Sequence, residues 1–233
     1  MSAVKFIDVV KIYGKGEGKQ VAVDHVSFTI EKGEFVAILG QSGAGKSTVL
    51  NMLGGMDSPT SGTITVNGRI ISGMTDDELS DYRATDIGFI FQFYNLIPTM
   101  TAYENVALTR DIVPDAADPE KMLKAVKLGN RMNKFPTQMS GGEQQRVSIA
   151  RALSKNPKFL LGDEPTGALD AETGKEVLVL MQNMCREKRI TTILVTHNAN
   201  IALCADKVIH MRDGKIKEIQ LNPAPVDARE VDF

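Results

Sequence analysis

The sequence predicts an α/β fold that combines a central β-sheet core with an antiparallel β subdomain and an inserted α-helical subdomain. A glycine-rich loop at residues 40–48 follows an apolar run of strand length and precedes residues at helical spacing. Apolar and polar residues alternate before it, at 4–10 and 21–30, as in strands with one buried face. Two groups of apolar strands are separated by helical patterns near 101–110, 118–129 and 140–154.

Length and composition suit one large α/β domain or a domain with an inserted lobe. The chain has 233 residues, of which 42% are hydrophobic, as in an ordinary soluble core. Its 27 basic and 29 acidic residues give a net charge of −2, which argues against a nucleic-acid partner or a dedicated anionic-membrane surface. We predict a domain at 1–220 followed by a disordered tail at 221–233. Within it we expect a core and β subdomain at 1–92 and 158–220 and a helical subdomain at about 93–157.

Targeting and redox signals point to a cytosolic chain. The N-terminus lacks the charged start and apolar run of a signal peptide, and no apolar stretch approaches the ~20 residues that span a bilayer. Any membrane association is therefore expected to come through another chain. Cys185 and Cys204 lie in predicted helical segments without metal-ligand spacing, so we expect reduced thiols; a disulfide is the alternative.

The antiparallel layer is predicted from three strands. Those at 4–10 and 21–30 are joined by the glycine-rich loop 14–18, and a third starts at Ser61 and ends in an Asn-Gly hairpin turn. Tyr13, just before the first loop, is either an aromatic that stacks on a nucleobase or an ordinary strand-end residue.

The loop at 40–48 has the composition of a phosphate-binding loop. Glycines allow the tight turn and close backbone approach with which N–H groups surround a polyphosphate. The helix starting near Lys46 adds its positive end, Lys46 a charge for the β- and γ-phosphates, and Ser47 a hydroxyl for Mg²⁺. A simple glycine-rich turn is the alternative. The predicted nucleotide contacts are Gly40, Ser42, Gly43, Ala44, Gly45, Lys46, Ser47 and Thr48.

A second anion site is predicted at the last helix of the inserted lobe. This helix begins at Ser140-Gly141-Gly142-Glu143, where Ser140 and Glu143 have capping-box spacing. The two glycines, expected to be exposed, weaken the first turn by roughly 1 kcal/mol each relative to alanine. A close backbone approach is expected to compensate, and the bare N–H groups suit an anion. A well-capped helix with no ligand is the alternative.

Two adjacent carboxylates, Asp163 and Glu164, end the apolar strand predicted at 158–165. We expect this strand to neighbour the one before the phosphate loop, which would let Asp163 hold Mg²⁺ opposite Ser47. Successive strand residues point to opposite sides, so Glu164 is available to polarise an attacking water. A solvated acidic turn is the alternative.

Further elements complete the predicted core. A short acidic helix at 75–83 precedes a strand, 87–91, that ends on Gln92. A helix at 171–188 and a buried strand at 191–196 lead to His197, which by itself is also explained as a structural residue. A hairpin at 207–219 closes the sheet.

The ordered set of motifs closely resembles the ATP-binding cassette (ABC) ATPases over nearly the whole chain. The resemblance implies a P-loop NTPase core, ATP and Mg²⁺ as cofactors, and ATP hydrolysis. The matching residues are Tyr13, the loop 40–48, Gln92, Met139 to Glu143, Leu160 to Glu164, Ala168 to Asp170 and His197.

The resemblance also implies residue roles. Tyr13 would stack on adenine, Gln92 would contact Mg²⁺ and the attacking water, Glu164 would be the general base, and His197 the γ-phosphate switch. The implied catalytic set is Lys46, Gln92, Glu164 and His197, and the implied metal ligands are Ser47, Gln92 and Asp163.

A partner subunit is implied as well. Ser140, Gly141, Gly142 and Glu143 would complete the site of a second copy, with Asp170 as a cross-dimer contact, so that a homodimer sandwiches two ATP molecules. Met139 stands where leucine is common, Glu143 where glutamine is common, and Gly162 precedes Asp163. None of these differences removes a phosphate ligand or the base, so an active ATPase is implied.

A finer resemblance, to the MacB-, LolD- and FtsE-like group, rests on residues 89–98, 101–106 and 163–170. It implies a subunit at the cytoplasmic face of the cell membrane that drives an integral permease of FtsX or MacB type. The work implied is export of, or resistance to, a peptide, antibiotic or lipoprotein. Our hypothesis is that the permease docks in a groove around residues 93–105, at the junction of the two lobes.

Three alternatives stay open at this point. One is an ATP-gated regulatory module that controls a cell-wall hydrolase or sensor without transport. A non-transport cassette of repair, translation or cofactor assembly is disfavoured because the chain has neither a coiled-coil insertion nor a second cassette. A small-molecule kinase or GTPase is weaker still, since Asn133-Lys134-Phe135-Pro136 lacks the aspartate of a guanine-binding loop.

Overall fold

The computed structural model describes residues 2–231, apart from the side chain at position 17. Its strands are β1 (Ser2–Tyr13), β2 (Gln20–Glu31), β3 (Phe35–Leu39), β4 (Ser61–Val66), β5 (Arg69–Ile70), β6 (Ile87–Ile90), β7 (Phe159–Asp163), β8 (Thr191–Thr196), β9 (Lys207–Arg212) and β10 (Lys215–Leu221). Its α-helices are α1 (Lys46–Leu53), α2 (Asp76–Thr85), α3 (Ala102–Ala107), α4 (Pro119–Ala125), α5 (Gly141–Ser154), α6 (Ala171–Lys188) and α7 (Ala199–Ala202).

The predicted antiparallel layer is a four-stranded sheet with strand order β2-β1-β4-β5. Its β4–β5 turn has positive φ at both central residues, 48° at Asn67 and 79° at Gly68. That backbone is the one that an Asn-Gly dipeptide favours in a two-residue hairpin.

The second sheet has six strands in the order β10-β9-β3-β8-β7-β6. Strands β3, β6, β7, β8 and β9 run parallel, and β10 returns antiparallel beside β9. The expectation that the strand ending in Asp163 neighbours the strand before the glycine-rich loop is wrong, because β8 lies between β3 and β7. Strand order depends on long-range pairing, which local sequence patterns do not reveal.

Alternate residues of β3 pack into two different hydrophobic cores, one on each face of the parallel sheet. Phe35, Ala37 and Leu39 pack with the helices of one layer, which include α5 and α6. Val36 and Ile38 pack with α1 and the antiparallel sheet on the other face. Both faces of the parallel sheet are thus covered, which explains why its strands are continuous apolar runs. The chain segments that follow β3, β7 and β8 leave the sheet at the same edge.

The inserted helices α3, α4 and α5 lie between β6 and β7 in sequence. Helix α4 is shorter than the predicted segment 118–129, since it ends at Ala125 and Lys127 adopts a positive φ of 61°. The boundaries of the helical subdomain at about 93 and 157 stay a prediction.

The C-terminal segment differs from the disordered tail that the sequence predicts. Residues 226–231 pack against the core that includes α6, with Ala228 fully buried and Val231 3% exposed. Gln182 of α6 accepts a hydrogen bond from the Ala228 N–H at 2.9 Å and donates to the Val226 carbonyl at 2.9 Å. These bonds satisfy backbone groups of an irregular segment, which composition alone did not foresee. Residues 232 and 233 lie outside the described residues.

The structure also shows whether any helix could cross a membrane and whether the two cysteines are paired. Within residues 2–231, every helix is too short or too polar to cross a bilayer. Cys185 and Cys204 are both free and buried, and burial raises the pKa of each thiol to about 11. Protonated, buried thiols of this kind are unreactive.

Candidate active site

A cleft of about 750 Å³ opens at the edge of the parallel sheet where β3, β7 and β8 end. It is lined by residues of the antiparallel sheet, of the parallel sheet and of the glycine-rich loop. Most of the predicted site residues lie here together. The lining residues are Tyr13, Gln20, Ala22, Gln41, Ser42, Gly43, Ala44, Gly45, Lys46, Ser47, Thr48, Gln92, Asp163, Glu164 and His197.

The glycine-rich loop wraps around the end of the Lys46 side chain. Lys46 is 7% exposed, and its Nζ donates to the carbonyls of Gly40 at 2.8 Å and Gln41 at 3.0 Å. Gly45 has a φ of 91°, and a Cβ at this position would lie 2.3 Å from the Ala22 carbonyl oxygen. Only glycine fits there, so the sheet of β2 packs directly against the loop. The cation is therefore held beside the first turn of α1.

Ser47 and Asp163 meet across the cleft. The Ser47 hydroxyl donates to Asp163 Oδ1 at 2.9 Å. Burial raises the pKa of Asp163, and the nearby Glu164 carboxylate acts in the same direction, while the Ser47 hydrogen bond and the Lys46 charge oppose it. The pair brings a hydroxyl and a carboxylate oxygen together, and these are ligand types that Mg²⁺ accepts.

Glu164 and His197 form the second polar pair of the cleft. His197 Nδ1 lies 3.0 Å from Glu164 Oε1, with the histidine side chain 70% exposed and the glutamate side chain 15% exposed. Glu164 lies just beyond β7 and has a positive φ of 47°. The expectation that strand alternation sends Asp163 and Glu164 to opposite sides is therefore wrong, because Glu164 lies outside the strand. A left-handed backbone conformation at Glu164, rather than the pleat of a strand, directs the two carboxylates to different partners.

Gln92 lies beside this pair. A Cβ on Gly167 would be 3.5 Å from Glu164 Cβ and 3.8 Å from Gln92 Nε2, so the three residues lie close together at one corner of the cleft.

The sequence analysis missed one residue that supports this corner, Gln145 of α5. Gln145 is fully buried and donates from Nε2 to the carbonyl of Pro165 at 2.7 Å and, more weakly, to that of Phe91 at 3.5 Å. Its position one turn into an amphipathic helix gave no signal of this.

The start of α5 does not line the cleft of its own chain. Ser140 Oγ accepts from the Glu143 N–H at 3.2 Å, and the Glu143 carboxylate accepts from the Ser140 N–H at 2.9 Å, as the predicted capping box requires. Asp170 caps α6 in turn, accepting from the Thr173 N–H at 3.0 Å. Ser140, Glu143 and Asp170, with the half-buried Gly141, form a separate surface beside the cleft, and Gly142 lies beneath it.

The prediction that both glycines are exposed is wrong for Gly142. Gly142 is buried, and a Cβ there would lie 2.1 Å from Thr173 Cγ2 of α6. A Cβ on the half-buried Gly141 would lie 2.7 Å from the Tyr94 hydroxyl. The close approach that offsets the cost of two helical glycines thus comes, at Gly142, from a neighbouring helix of the same chain.

Comparison with known proteins agrees with this geometry. The sequence model of the family described as "ABC transporter" matches residues 23–167. The chain belongs to the ABC transporter family. This cassette is 48% identical over 217 residues to an uncharacterized ABC transporter ATP-binding protein of Methanocaldococcus jannaschii, covering 91% of this chain and 96% of the relative.

Two further comparisons concern a MacB protein and a solved cassette structure. It is 42% identical over 221 residues to the macrolide export ATP-binding/permease protein MacB of Mannheimia succiniciproducens, covering 93% of this chain but only 34% of that protein. The structure resembles the dimeric post-hydrolysis state of the ATP-binding cassette MJ0796 bound to ADP and Pi, with a TM-score of 0.87 and 40% identity. That match covers 94% of this chain and 98% of the other. The chain is therefore an ATP-binding ABC ATPase subunit related to MacB.

Other residues of the cleft had no sequence signal. Gln20 and Ala22 of β2 face the loop, and Asp57 contacts Tyr13 from the turn that follows α1. The turn that contains Asp57 and the polar strand residue Gln20 are ordinary sequence features. Their position near the cleft becomes visible only from the packing of β1 and β2 onto the cassette core.

Proposed function

We propose that two copies of this ABC ATPase close on ATP and drive an integral permease of the MacB and FtsX type. The work would be export of, or resistance to, a peptide, antibiotic or lipoprotein. The observation that carries this proposal is the match to MacB along nearly the whole cassette. The chain spans about a third of that relative. In this proposal the cassette works at the cytoplasmic face of the membrane, against the permease. Membrane association then comes through the permease alone.

The donor set in the cleft fits a magnesium ion. Ser47, Gln92 and Asp163 offer a hydroxyl, an amide and a carboxylate oxygen, and Mg²⁺ sites commonly use one or two carboxylates together with substrate phosphates. Among residues 2–231 there is no cluster of three or more His, Cys, Asp and Glu side chains of the kind that holds a transition metal. When bound, the ion would neutralise charge on the β- and γ-phosphate oxygens.

The cassette's own residues position the reacting groups. Lys46 places a cation against the phosphates, and backbone N–H groups of the loop and the α1 N-terminus donate to their oxygens. Glu164 accepts the proton of the attacking water as general base. His197 holds the Glu164 carboxylate through Nδ1, and its side chain is 70% exposed. In this proposal the exposed ring would contact the γ-phosphate. Gln92 orients the same water from beside Glu164.

The surface formed by Ser140, Gly141, Gly142, Glu143 and Asp170 is proposed to serve the ATP of the second copy. It lies outside the cleft lining of its own chain. Ser140 and Asp170 are exposed, while Gly142 is buried and the Glu143 carboxylate accepts from the Ser140 N–H and pairs with Arg131. Support comes from the dimeric state named for the structural relative MJ0796. A head-to-tail pair of cassettes would then enclose two nucleotides.

The permease is proposed to dock near residues 93–105. Phe93 is 74% exposed, and the two residues after it, Tyr94 and Asn95, have positive φ values of 48° and 49°. Leu96 packs against the helical core, so a charge there would also damage the fold. Phe93→Glu is therefore the cleaner variant, with Ile219→Glu as a control at another exposed apolar site. We expect only Phe93→Glu to abolish stimulation of the ATPase by the permease.

Dimer formation is the first experiment. Purified Glu164→Gln, which removes the proposed general base, is run on size-exclusion chromatography with and without ATP and Mg²⁺, and again with Ser140→Arg added. We expect ATP to produce a dimer that Ser140→Arg abolishes. A monomer under all conditions would contradict an ATP dimer of the isolated cassette.

A matched control separates a lost helix cap from a blocked partner site. Thr75 caps α2 with the same capping-box pattern as Ser140, and it lies on a different helix. Thr75→Arg should lose a similar cap contribution, about 1 kcal/mol, and still dimerise. If Thr75→Arg also prevented dimerisation, the effect of Ser140→Arg would reflect stability alone.

A further inference from the structure

Three side chains form a bonded cluster beside the cleft, which we name the Asp57 cluster: Lys11, Tyr13 and Asp57. The Tyr13 hydroxyl donates to Asp57 Oδ2 at 2.6 Å. Lys11 Nζ forms an ion pair with Asp57 Oδ1 and donates to the Ser58 carbonyl at 2.7 Å. The Lys11 and Asp57 side chains are only 13% and 24% exposed, so water screens this pair less than a surface pair.

Lys11 also touches the ring of Tyr13. Its Nζ lies 4.9 Å from the ring centroid, within the range of a cation–π contact. Tyr13 itself is 41% exposed and lines the cleft. The ring is thus supported by a cation and anchored at its hydroxyl, while part of its surface remains open to the cleft.

Asp57 is itself fixed to the strand that carries the ring. The Ser58 N–H donates to Asp57 Oδ1 at 2.8 Å, and the Thr60 N–H donates to the carbonyl of Val10 in β1 at 2.7 Å. The Ile12 N–H returns a bond to Thr60 Oγ1 at 2.9 Å. Hydrogen bonds through Thr60 therefore hold the turn after α1 against the end of β1, next to the cluster.

The charge on Asp57 is stabilised by this arrangement. Burial acts to raise the pKa of its carboxyl, but hydrogen bonds from Lys11, Tyr13 and the Ser58 N–H outweigh it and lower the pKa. Tyr13 and Thr48, the last residue of the phosphate loop, line the same cleft. The cluster thus lies next to the segment that is proposed to hold the phosphates.

We propose that Asp57 and Lys11 are positioning residues that hold the Tyr13 ring in the orientation needed to stack on the nucleobase. This inference rests on the proposed ATP-binding function and on the base-stacking role that the family resemblance implies for Tyr13. A ring fixed before binding loses less conformational entropy when the base stacks on it. The hydroxyl of Tyr13, which donates to Asp57, then matters for affinity although it does not touch the base.

A double-mutant cycle tests the positioning role. The probes are ADP and inorganic pyrophosphate, which carries the two phosphates but no base, and both dissociation constants are measured by calorimetry. Tyr13→Phe and Asp57→Ala should each raise the Kd of ADP by about 3- to 10-fold, with the double variant no worse than the weaker-binding single variant. The Kd of pyrophosphate should stay within about twofold, because the loop is unchanged.

The outcomes separate the inference from the function on which it rests. Additive effects of the two substitutions, an unchanged ADP affinity in Asp57→Ala, or equal losses for ADP and pyrophosphate would each overturn the positioning role. Tyr13→Ala that left the ratio of ADP to pyrophosphate affinity unchanged would instead refute base stacking by Tyr13. Asp81→Ala, an exposed carboxylate on α2, is the control and should bind both probes like the wild type.

Discussion

Thr173 of α6 packs so closely on Gly142 of α5 that a Cβ at residue 142 would lie 2.1 Å from Thr173 Cγ2. The second glycine of the α5 N-terminus is thus required by helix packing within one chain, whatever else it contacts. Gly142→Ala should destabilise the protein by about 1–3 kcal/mol through overpacking. Urea unfolding monitored by circular dichroism measures the change.

Thr173→Ser provides the matched rescue. Serine keeps the hydroxyl but removes the methyl group that the new Cβ would meet, so Gly142→Ala with Thr173→Ser should recover most of the lost stability. Gly141→Ala should cost less, since its Cβ would meet only the end of the Tyr94 side chain. A double variant as unstable as Gly142→Ala alone would show that the contact is not the cause.

Asp163→Asn should stabilise the fold while it removes a proposed ligand for Mg²⁺. Burial raises the pKa of Asp163 above its value of about 3.9 in the unfolded chain, so the folded state binds more protons between the two pKa values. The charged aspartate therefore lowers wild-type stability as the pH rises through that window. We expect the Asp163→Asn variant to gain less than about 2 kcal/mol at neutral pH, and a smaller amount at acidic pH.

The measurement is the free energy of unfolding of both proteins from pH 4.5 to 8. The gain should grow with pH and then level off. Asp213→Asn, at an exposed turn where the side chain is 83% accessible, is the control and should show a small difference without that pH trend. A gain that stayed constant with pH would contradict the role of the Asp163 charge.

Gln145→Leu should destabilise the protein by about 1–3 kcal/mol. The substitution keeps an apolar stem of similar size but leaves the Pro165 carbonyl, now bonded at 2.7 Å, without its buried donor. Chemical unfolding measures the loss, with the exposed Glu187→Gln on α6 as the control. Equal stability of Gln145→Leu and wild type would mean that another donor or a water replaces the amide.

Ala228→Glu should detach the C-terminal segment from α6. Ala228 is fully buried and its N–H donates to Gln182, so a carboxylate there has no compensating partner and the segment would leave its site. We expect a loss of about 1–3 kcal/mol and faster proteolysis beyond residue 221. The neighbouring Arg229→Gln, at an exposed position, should change neither. Unchanged proteolysis in Ala228→Glu would show that the segment does not depend on this contact.

Much of the secondary structure followed from the sequence because it depends on local periodicity. The predicted bounds of α6 and of β8, 171–188 and 191–196, agree with the structure. The glycine-rich loop was recognisable because phosphate binding imposes residue types at fixed spacing, and Ser47 and Asp163 do meet. Helix α4 was overextended, since its pattern alone did not show the left-handed turn at Lys127.

Local patterns and motif order were enough to predict most of the elements, the phosphate loop and membership of the ABC family. Long-range packing was needed to show that β8 separates β3 from β7, that Gly142 lies under Thr173, and that Gln182 binds the C-terminal segment. It also joined Asp57 to Tyr13. These relationships connect residues far apart in the chain, and their energies depend on burial and on which donors meet which acceptors, which no local pattern encodes.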